Sequence, residues 1–399
     1  MIKALSEESL SPAHSQRIWG NAMTQYTTGR SGRNRAMVIL APMSIALTTI
    51  ALAVTTLAGC ATGARIRQPG QLPGVADAGQ AMSDAERADL KQRALALLEQ
   101  AAVDPNPQAR ANAIEALQSA PEALTQIVRS ALADDNVAVR FAAAMSAGRR
   151  KLVDSAPWIE PLTADESPVV RAAAVYALRQ LNREVNPTPL AQLLTTSPDP
   201  RRRAMAAFIL GELRDPSAIP LLKDAARRSL PRARVIGMRL LRLQIAEALV
   251  KLGDEGAVET IRAALYPSRP EDLEATALAV QIIGEVGDRR AVDQLIYLMA
   301  QTGPDRPPAE VRLAAAAALA KLGLRNGGFL ADELARDHNP AIRAQCAAVY
   351  GETGGDAALR SLASMLDDPS LLVRIAVASS ILKALTPQRR DRFAVQANR

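Results

Sequence analysis

One sequence unit recurs about nine times between Asp104 and Leu385. In residues 165–181 it reads DESPVVRAAAVYALRQL: an acid and a proline, a Val-Arg pair, then alanines and leucines at helical spacing. A helical unit of this length cannot bury its apolar face alone, so copies must stack on one another. The repetition therefore predicts an all-α fold, an α-solenoid of about nine helical hairpins. The repeat positions, 30 to 39 residues apart, are Arg110, Arg140, Arg171, Arg203, Arg242, Thr276, Arg312, Arg343 and Arg374.

Each unit contains the pattern of two helices. Apolar or small residues follow the repeat position at +3, +4, +6 and +7, which places them on one helical face. Glycine then ends several of these helices, since it takes the left-handed conformation of a helix C-terminus; examples are Gly253, Gly287, Gly323 and Gly354. A second run with Leu, Ile or Val at spacings of three and four comes next. Because aromatic residues make up only 3% of the chain, we expect closely packed helices built on small side chains.

These segments resemble the short HEAT repeat of the phycobilin-lyase type over about 280 residues. The resemblance is carried by residues 104–117 (DPNPQARANAIEAL), 311–323 (VRLAAAAALAKLG) and 367–382 (DDPSLLVRIAVASSIL). It implies a right-handed superhelix whose arginine-bearing helices line a concave side. It also implies a structural ladder between repeats, made by turn acids and helix arginines: Asp134, Arg140, Asp165, Arg171, Asp337, Arg343, Asp368 and Arg374. The helix dipole favours such acids, and arginine can bind carboxylates at two points.

The N-terminal region has the pattern of a secretory signal. Residues 36–58 carry no charge, three arginines precede them, and Leu57-Ala58-Gly59-Cys60 follows. This ending resembles the lipobox of bacterial lipoproteins, which implies cleavage before Cys60 and lipid attachment to that residue. The alternative is an uncleaved membrane helix, since 23 apolar residues can span a bilayer. The start of translation, Met1 or Met23, stays open.

The chain is thereby divided into four parts. We expect a signal peptide with an N-terminal extension (1–59), a flexible Gly- and Pro-rich tether (60–82), the repeat solenoid (83–385) and a basic C-terminal tail (386–399). The predicted location is the bacterial cell envelope, with the protein anchored by lipid. Ala61 stands where an Asp would tend to retain a lipoprotein at the inner membrane, so the outer membrane facing the periplasm is favoured.

The middle of the array departs from the pattern. The repeat acid is missing at Ser197, Ile236, Pro270 and Arg306, and residues 201–242 hold eleven bases but three acids. We name as the basic band Arg201, Arg202, Arg227, Arg228, Arg232, Arg234 and Arg239. These residues indicate either a surface for an anionic partner or a solvated face whose long side chains cover apolar surface.

Few residues suit catalysis. The chain has two histidines, two distant cysteines and no His-Glu dipeptide of the kind that holds iron in HEAT-like deoxyhypusine hydroxylases. Cys346 takes an interior slot and is expected to be a buried structural thiol. The sequence therefore predicts no enzyme, no cofactor and no metal site.

The sequence thus predicts a membrane-tethered scaffold that binds a protein partner. The alternative is a binder or sensor of an anionic envelope ligand, a lipid headgroup or cell-wall polymer, through the basic band. Nucleic acid is disfavoured, because the expected location lies outside the cytoplasm and no aromatic residues are interleaved for base stacking. The first 59 residues carry five bases and two acids, so the remainder has a net charge of only +4 of the formal +7.

Overall fold

A computed structural model describes residues 81–267, 269–303 and 306–386 as nine consecutive helical hairpins. The outer helices are α1 (Asp84–Ala101), α3 (Pro121–Leu132), α5 (Ala156–Ile159), α7 (Thr188–Thr196), α9 (Ile219–Arg227), α11 (Val258–Ala263), α13 (Val292–Ala300), α15 (Gly328–Leu334) and α17 (Gly355–Ser364). The inner helices are α2 (Pro107–Ala116), α4 (Val137–Arg150), α6 (Pro168–Gln180), α8 (Pro200–Leu213), α10 (Val235–Lys251), α12 (Leu273–Val286), α14 (Ala309–Lys321), α16 (Pro340–Thr353) and α18 (Leu371–Leu385). The predicted all-α solenoid of nine hairpins is confirmed.

The turn before each inner helix explains where that helix begins. In α2, α4 and α16 an asparagine caps the helix by accepting the backbone N–H two residues later, at 2.9–3.0 Å. Proline occupies the first turn of α2, α6, α8 and α16, where its missing N–H leaves no bond unmade. At the other end, Gly253, Gly287, Gly323 and Gly354 have positive φ, as the sequence predicts.

The inner helices are buried on nearly all sides. In α4 every residue from Val139 to Gly148 is buried, and in α6 every residue from Ala172 to Leu178. Outer helices bury one face only; α9, for example, buries Leu222 and Ala225. Two-sided burial explains why the inner helices are rich in alanine, which needs little space between neighbouring backbones.

Inner helices approach one another closely in alternate pairs. At Gly148 of α4, an added Cβ would lie 2.7 Å from Cα of Ala177 in α6. The same close approach joins α8 to α10 at Gly211, α12 to α14 at Gly284 and α16 to α18 at Gly351. All four glycines stand eight residues after the repeat position, in every second unit. The array is therefore built from four close pairs of hairpins preceded by one single hairpin.

The two ends of the array meet. The last helix, α18, packs against α1 and α2. Nη2 of Arg87 in α1 lies 2.5 Å from Oδ1 of Asp356 in α17, and the backbone N–H of Met82 donates to the other carboxylate oxygen at 3.1 Å. With α18 seated on the first hairpin, the inner layer closes on itself. The expected concave side lined by arginine-bearing helices is not found in the described part, because these helices are covered on both faces.

Several sequence predictions lie outside the described residues. They are the signal region, Cys60, nearly all of the tether and the C-terminal tail beyond residue 386. Among the helices of the described ranges, none combines the length and the apolar character needed to cross a bilayer.

Candidate functional site

The arginine ladder joins successive repeats through two-point contacts. Nε and Nη2 of Arg140 donate to the two carboxylate oxygens of Asp165 in the next repeat, at 2.8 and 3.0 Å. Its Nη1 donates to the backbone carbonyl of Asp134, in its own turn, at 2.9 Å. Arg110 binds Asp134 in the same way, and Arg343 binds Asp368. Each arginine thus fixes its own turn and the following one.

The contact with Arg343 favours the ionised form of Asp368. Burial alone would raise the pKa of Asp368, but the hydrogen bonds from Arg343 and from the N–H of Ser370 outweigh burial and lower it. The hydrogen bond that Arg343 donates to Asp368 raises the pKa of Arg343 in turn. Because Arg140 and Asp165 expose only 10% and 7% of their side chains, removing one partner would leave a charge buried and unpaired.

The remaining ladder residues of the prediction lack this two-point partner. Arg374 belongs to the last repeat and donates through Nη1 to the carbonyl of Asp368 at 2.7 Å. Asp337 accepts the N–H of Asn339 at 2.7 Å, and its carbonyl accepts from Arg343 at 2.8 Å. Arg171 donates to the carbonyl of Asp165 at 2.6 Å. The ladder therefore runs unbroken only from Arg110 to Asp165, and again from Arg343 to Asp368.

The basic band lies beside the interruption of the ladder. It occupies the first turn of α8, the end of α9, the connection from α9 to α10 and the first half of α10. Two members are paired: Nη2 of Arg228 lies 2.6 Å from the carboxylate of Asp224, and Arg239 pairs with Asp272. Within the described ranges the other members make no ion pair; Arg201 and Arg202 are half-buried, while Arg227, Arg232 and Arg234 are exposed.

One acid near the band is poorly solvated. Burial raises the pKa of Glu274, at the start of α12, to about 7, although the charge of Arg201 opposes the rise. Glu274 therefore changes its charge near neutral pH, close to Arg201 of the basic band.

A row of interior charges was missed by the sequence interpretation. We call it the interior charge row: Arg149, Glu212, Lys251, Glu285, Lys321, Glu352 and Lys383. Each member stands nine residues after a repeat position, near the C-terminal end of an inner helix. Nη2 of Arg149 lies 3.0 Å from Glu212, and Nζ of Lys251 lies 2.7 Å from the same carboxylate. The alternation of sign at the +9 position was the available sequence signal.

The second half of the row continues the alternation. Lys321 pairs with Glu285 and lies 3.6 Å from Glu352, which also pairs with Lys383 of α18. Burial alone would lower the pKa of Lys321, but the charges of Glu285 and Glu352 outweigh burial and raise it. The row is thus a contact between helix ends in which four bases alternate with three acids, and its ion pairs join different inner helices.

Aromatic side chains are exposed on the outer layer, another feature that the repeat pattern did not reveal. Tyr266 follows α11, Tyr297 lies in α13 and Phe329 lies in α15, with exposed fractions of 63%, 56% and 54%. They therefore stand on or beside three consecutive outer helices. Exposed aromatic residues are enriched at the cores of protein–protein interfaces.

The groups considered for catalysis are placed unfavourably. Cys346 is fully buried, and burial together with the charge of Asp337 raises the pKa of its thiol to about 12. His338 lies exposed in a turn, with Nδ1 3.3 Å from Asp337. In the residues that the structure describes, no group of three or more His, Cys, Asp or Glu side chains is arranged to hold a metal ion.

Comparison with known proteins identifies the type of repeat. The family model for HEAT repeats matches residues 94–179 and 187–279, so these segments are HEAT repeats. No curated protein matches the chain. Among solved structures, human deoxyhypusine hydroxylase in complex with glycerol is similar at 20% identity and a TM-score of 0.33, covering 76% of this chain and 99% of its own.

Two further structures are similar at comparable levels. The complex of CpcE and CpcF of phycocyanin lyase from Nostoc sp. PCC7120 has 17% identity and a TM-score of 0.38, with coverage of 67% of this chain and 100% of that one. A designed armadillo repeat protein has 18% identity and a TM-score of 0.31, with coverage of 49% and 98%.

Proposed function

We propose that this HEAT-repeat protein is a non-enzymatic scaffold that binds a partner protein at a membrane of the bacterial cell envelope. The observation that carries the proposal is the basic band. Arg227, Arg232 and Arg234 are exposed and make no ion pair within the described ranges, whereas the ladder arginines Arg110, Arg140 and Arg343 each bind an aspartate. Unpaired charges of one sign on a rigid surface attract a partner of the opposite sign.

The closed array determines which surfaces can take part. Because the inner helices are covered on both faces, a partner binds the outer helices, the turns or the connections between hairpins. The basic band supplies charge on such a surface, and Tyr266, Tyr297 and Phe329 supply apolar contact on the outer layer. Repeat arrays of this kind generally bind proteins, which supports the assignment to protein binding.

The proposed anchor is lipid on Cys60, with the protein facing the periplasm from the outer membrane. Its support is the match of Leu57-Ala58-Gly59-Cys60 to the lipobox after an uncharged segment. One acyl chain alone binds membranes reversibly, whereas a lipoprotein carries several, so attachment should be stable. With Cys60→Ser we expect the protein in the soluble fraction of disrupted cells; a variant that stays with the membrane indicates an uncleaved span.

The partner surface is tested by photo-crosslinking in living cells. A crosslinking side chain at position 227 or 232 should capture a defined protein, and one at Lys91, exposed on α1, should not. With the crosslinking side chain kept at position 227 or 232, reversal of the remaining three of Arg227, Arg228, Arg232 and Arg234 to glutamate should abolish capture, while reversal of Lys91 and Arg93 should leave it intact. Unchanged capture by the threefold variant would falsify the basic band as the binding surface.

An anionic envelope ligand is the second candidate, because the same band offers four arginines within residues 227–234. Binding to vesicles that contain an anionic phospholipid, with affinity falling steeply as salt rises, would favour it. Capture of a protein from cells, insensitive to such vesicles, favours the scaffold.

A further inference from the structure

The arginine ladder shows how this fold binds a carboxylate. At Arg110, Arg140 and Arg343, Nη1 is held by a backbone carbonyl of the arginine's own turn. Nε and Nη2, which we call the fork, then donate hydrogen bonds to the two carboxylate oxygens of one aspartate at 2.7–3.0 Å. Planar two-point binding of this kind is specific to arginine.

Arg171 has the same pose with an open fork. Its Nη1 donates to the carbonyls of Asp165 and Glu166 at 2.6 and 3.1 Å. In the described part of the chain, its Nε and Nη2 have no carboxylate partner. The position of the missing acid is held by Ser197, whose backbone angles (φ −61°, ψ 131°) are close to those of Asp165 (φ −53°, ψ 147°). The turn is therefore built as in the other repeats, and only the carboxylate is absent.

A second arginine, Arg203 in α8, contacts the same turn and lacks an acid as well. Arg203 exposes only 6% of its surface, and its Nε donates to the carbonyl of Ser197 at 2.6 Å. Burial, with the nearby charge of Arg228, lowers its pKa. A buried guanidinium without a counter-charge is unfavourable, and a carboxylate brought to it would relieve that cost.

The acids near this turn are already engaged. Asp199 caps α8 by accepting the backbone N–H of Arg201 at 2.9 Å, and Asp224 binds Arg228. Asp165 serves the preceding repeat by binding Arg140. In the described residues, none of these three carboxylates binds Arg171 or Arg203.

We propose that Arg171 and Arg203, on either side of the Ser197 turn, form a receptor for a carboxylate carried by an acidic segment of the partner protein. The proposal rests on the scaffold function and identifies the residues that bind the negative charge of the partner protein. An aspartate side chain is favoured over phosphate because the three filled forks hold aspartate in this geometry. The basic band begins at Arg201, in the same turn, and can hold further acidic residues of the segment.

The test introduces the missing carboxylate into the chain itself, by substitution of Ser197. The full chain, extracted in detergent, is titrated with a fluorescein-labelled hexa-aspartate peptide. Ser197→Asp should fill the fork of Arg171, raise the thermal midpoint and weaken peptide binding by about tenfold, as expected for the loss of charge-assisted hydrogen bonds. Ser197→Asn, which has the same shape without the charge, should do neither.

A second variant removes the fork but keeps the charge. Arg171→Lys cannot bind a carboxylate at two points, so peptide binding should again fall about tenfold. Unchanged binding in both Ser197→Asp and Arg171→Lys would overturn the receptor. So would displacement of the peptide by equimolar orthophosphate or by phosphatidylglycerol vesicles, because the site would then recognise charge and not a carboxylate.

Crosslinking in cells distinguishes a failure of the receptor proposal from a failure of the scaffold proposal. If Ser197→Asp still captures the crosslinked partner in cells with unchanged yield, the receptor is wrong and the scaffold stands. If the chain with Ser197 intact and the crosslinking side chain at position 227 or 232 captures no protein at all, the scaffold is wrong whatever the peptide does.

Discussion

Single residues in this array have roles that depend on whether their repeat is complete. Arg140 and Arg171 occupy the same position and hold the same carbonyl contacts, yet only Arg140 meets a carboxylate. The ladder could be predicted from sequence because the acid and the arginine recur at a fixed spacing. The interior charge row was not predicted, since its pairs join residues on different inner helices, and the alternation of sign nine residues after the repeat position does not say which helix ends meet.

Glu274 gives the clearest pH dependence at the residue scale. Its pKa in the folded protein is about 7, above the ordinary value of 4.5, so the folded state holds a proton that the unfolded state releases. Folding stability should therefore fall as pH rises from about 4.5 to about 7, by on the order of 1–3 kcal/mol. Glu274→Gln should remove this fall, measured by urea unfolding at pH 5 and pH 8.

The control for this measurement is Glu271→Gln, which alters an exposed acid just before the same helix. It should show the pH dependence of the unaltered protein. The free energy of unfolding of Glu274→Gln is compared with that of the unaltered protein at each pH. If the difference between the two proteins is the same at pH 5 and pH 8, Glu274 is ionised normally.

At the scale of helices, the sequence correctly predicted that each repeat contains helices and that the fold is all-α. The nine inner helices, eight of which have an arginine at the repeat position, follow from local chemistry that the residues themselves carry, and so do the glycines that end several of them. The alternate pairing of hairpins was not predicted, although glycine recurs eight residues after the repeat position in every second unit. A glycine within a helix can mark a close contact, but the sequence alone does not say which backbone approaches it.

Gly148→Ala tests this pairing. The added Cβ would lie 2.7 Å from Cα of Ala177, a backbone atom that cannot move without shifting α6. We expect a loss of about 1–3 kcal/mol in the free energy of unfolding, the usual cost of overpacking. Chemical denaturation followed by circular dichroism measures it.

Gly328→Ala is the matched control, because Gly328 begins α15 with helical φ of −57° and no atom within 4 Å of its added Cβ. That change should be neutral or stabilising by less than about 1 kcal/mol. Equal effects of the two substitutions would contradict close packing at Gly148.

For the whole molecule, the closure of the array is the main departure from expectation. The repeat period predicts stacking but contains no information on how much each hairpin rotates relative to the last. That small rotation, summed over nine hairpins, decides whether the ends separate or meet. The described structure brings α18 onto the first hairpin and joins Arg87 to Asp356.

A double-mutant cycle tests the closure. Arg87→Asp and Asp356→Arg should each lower stability by up to about 1 kcal/mol, since the pair is partly exposed, and the combined swap should recover most of the loss. Denaturant midpoints supply the coupling energy. Additive losses in the double variant would show that Arg87 and Asp356 do not pair across the junction.

A comparison pair lies within α1, where Arg93 and Asp89 are 4.0 Å apart and largely exposed. Reversing both charges there should leave the midpoint unchanged, because no contact between the ends is involved.

The junction at Met82 also has a mechanical consequence. The chain that leads toward Cys60 leaves the array where Met82 and Arg87 are tied to Asp356 of the last hairpin. A pull on that chain is therefore shared between the first and last units of the ring. In an open array the same force would peel off the first helix by itself, whereas here it must shear two hairpins apart together.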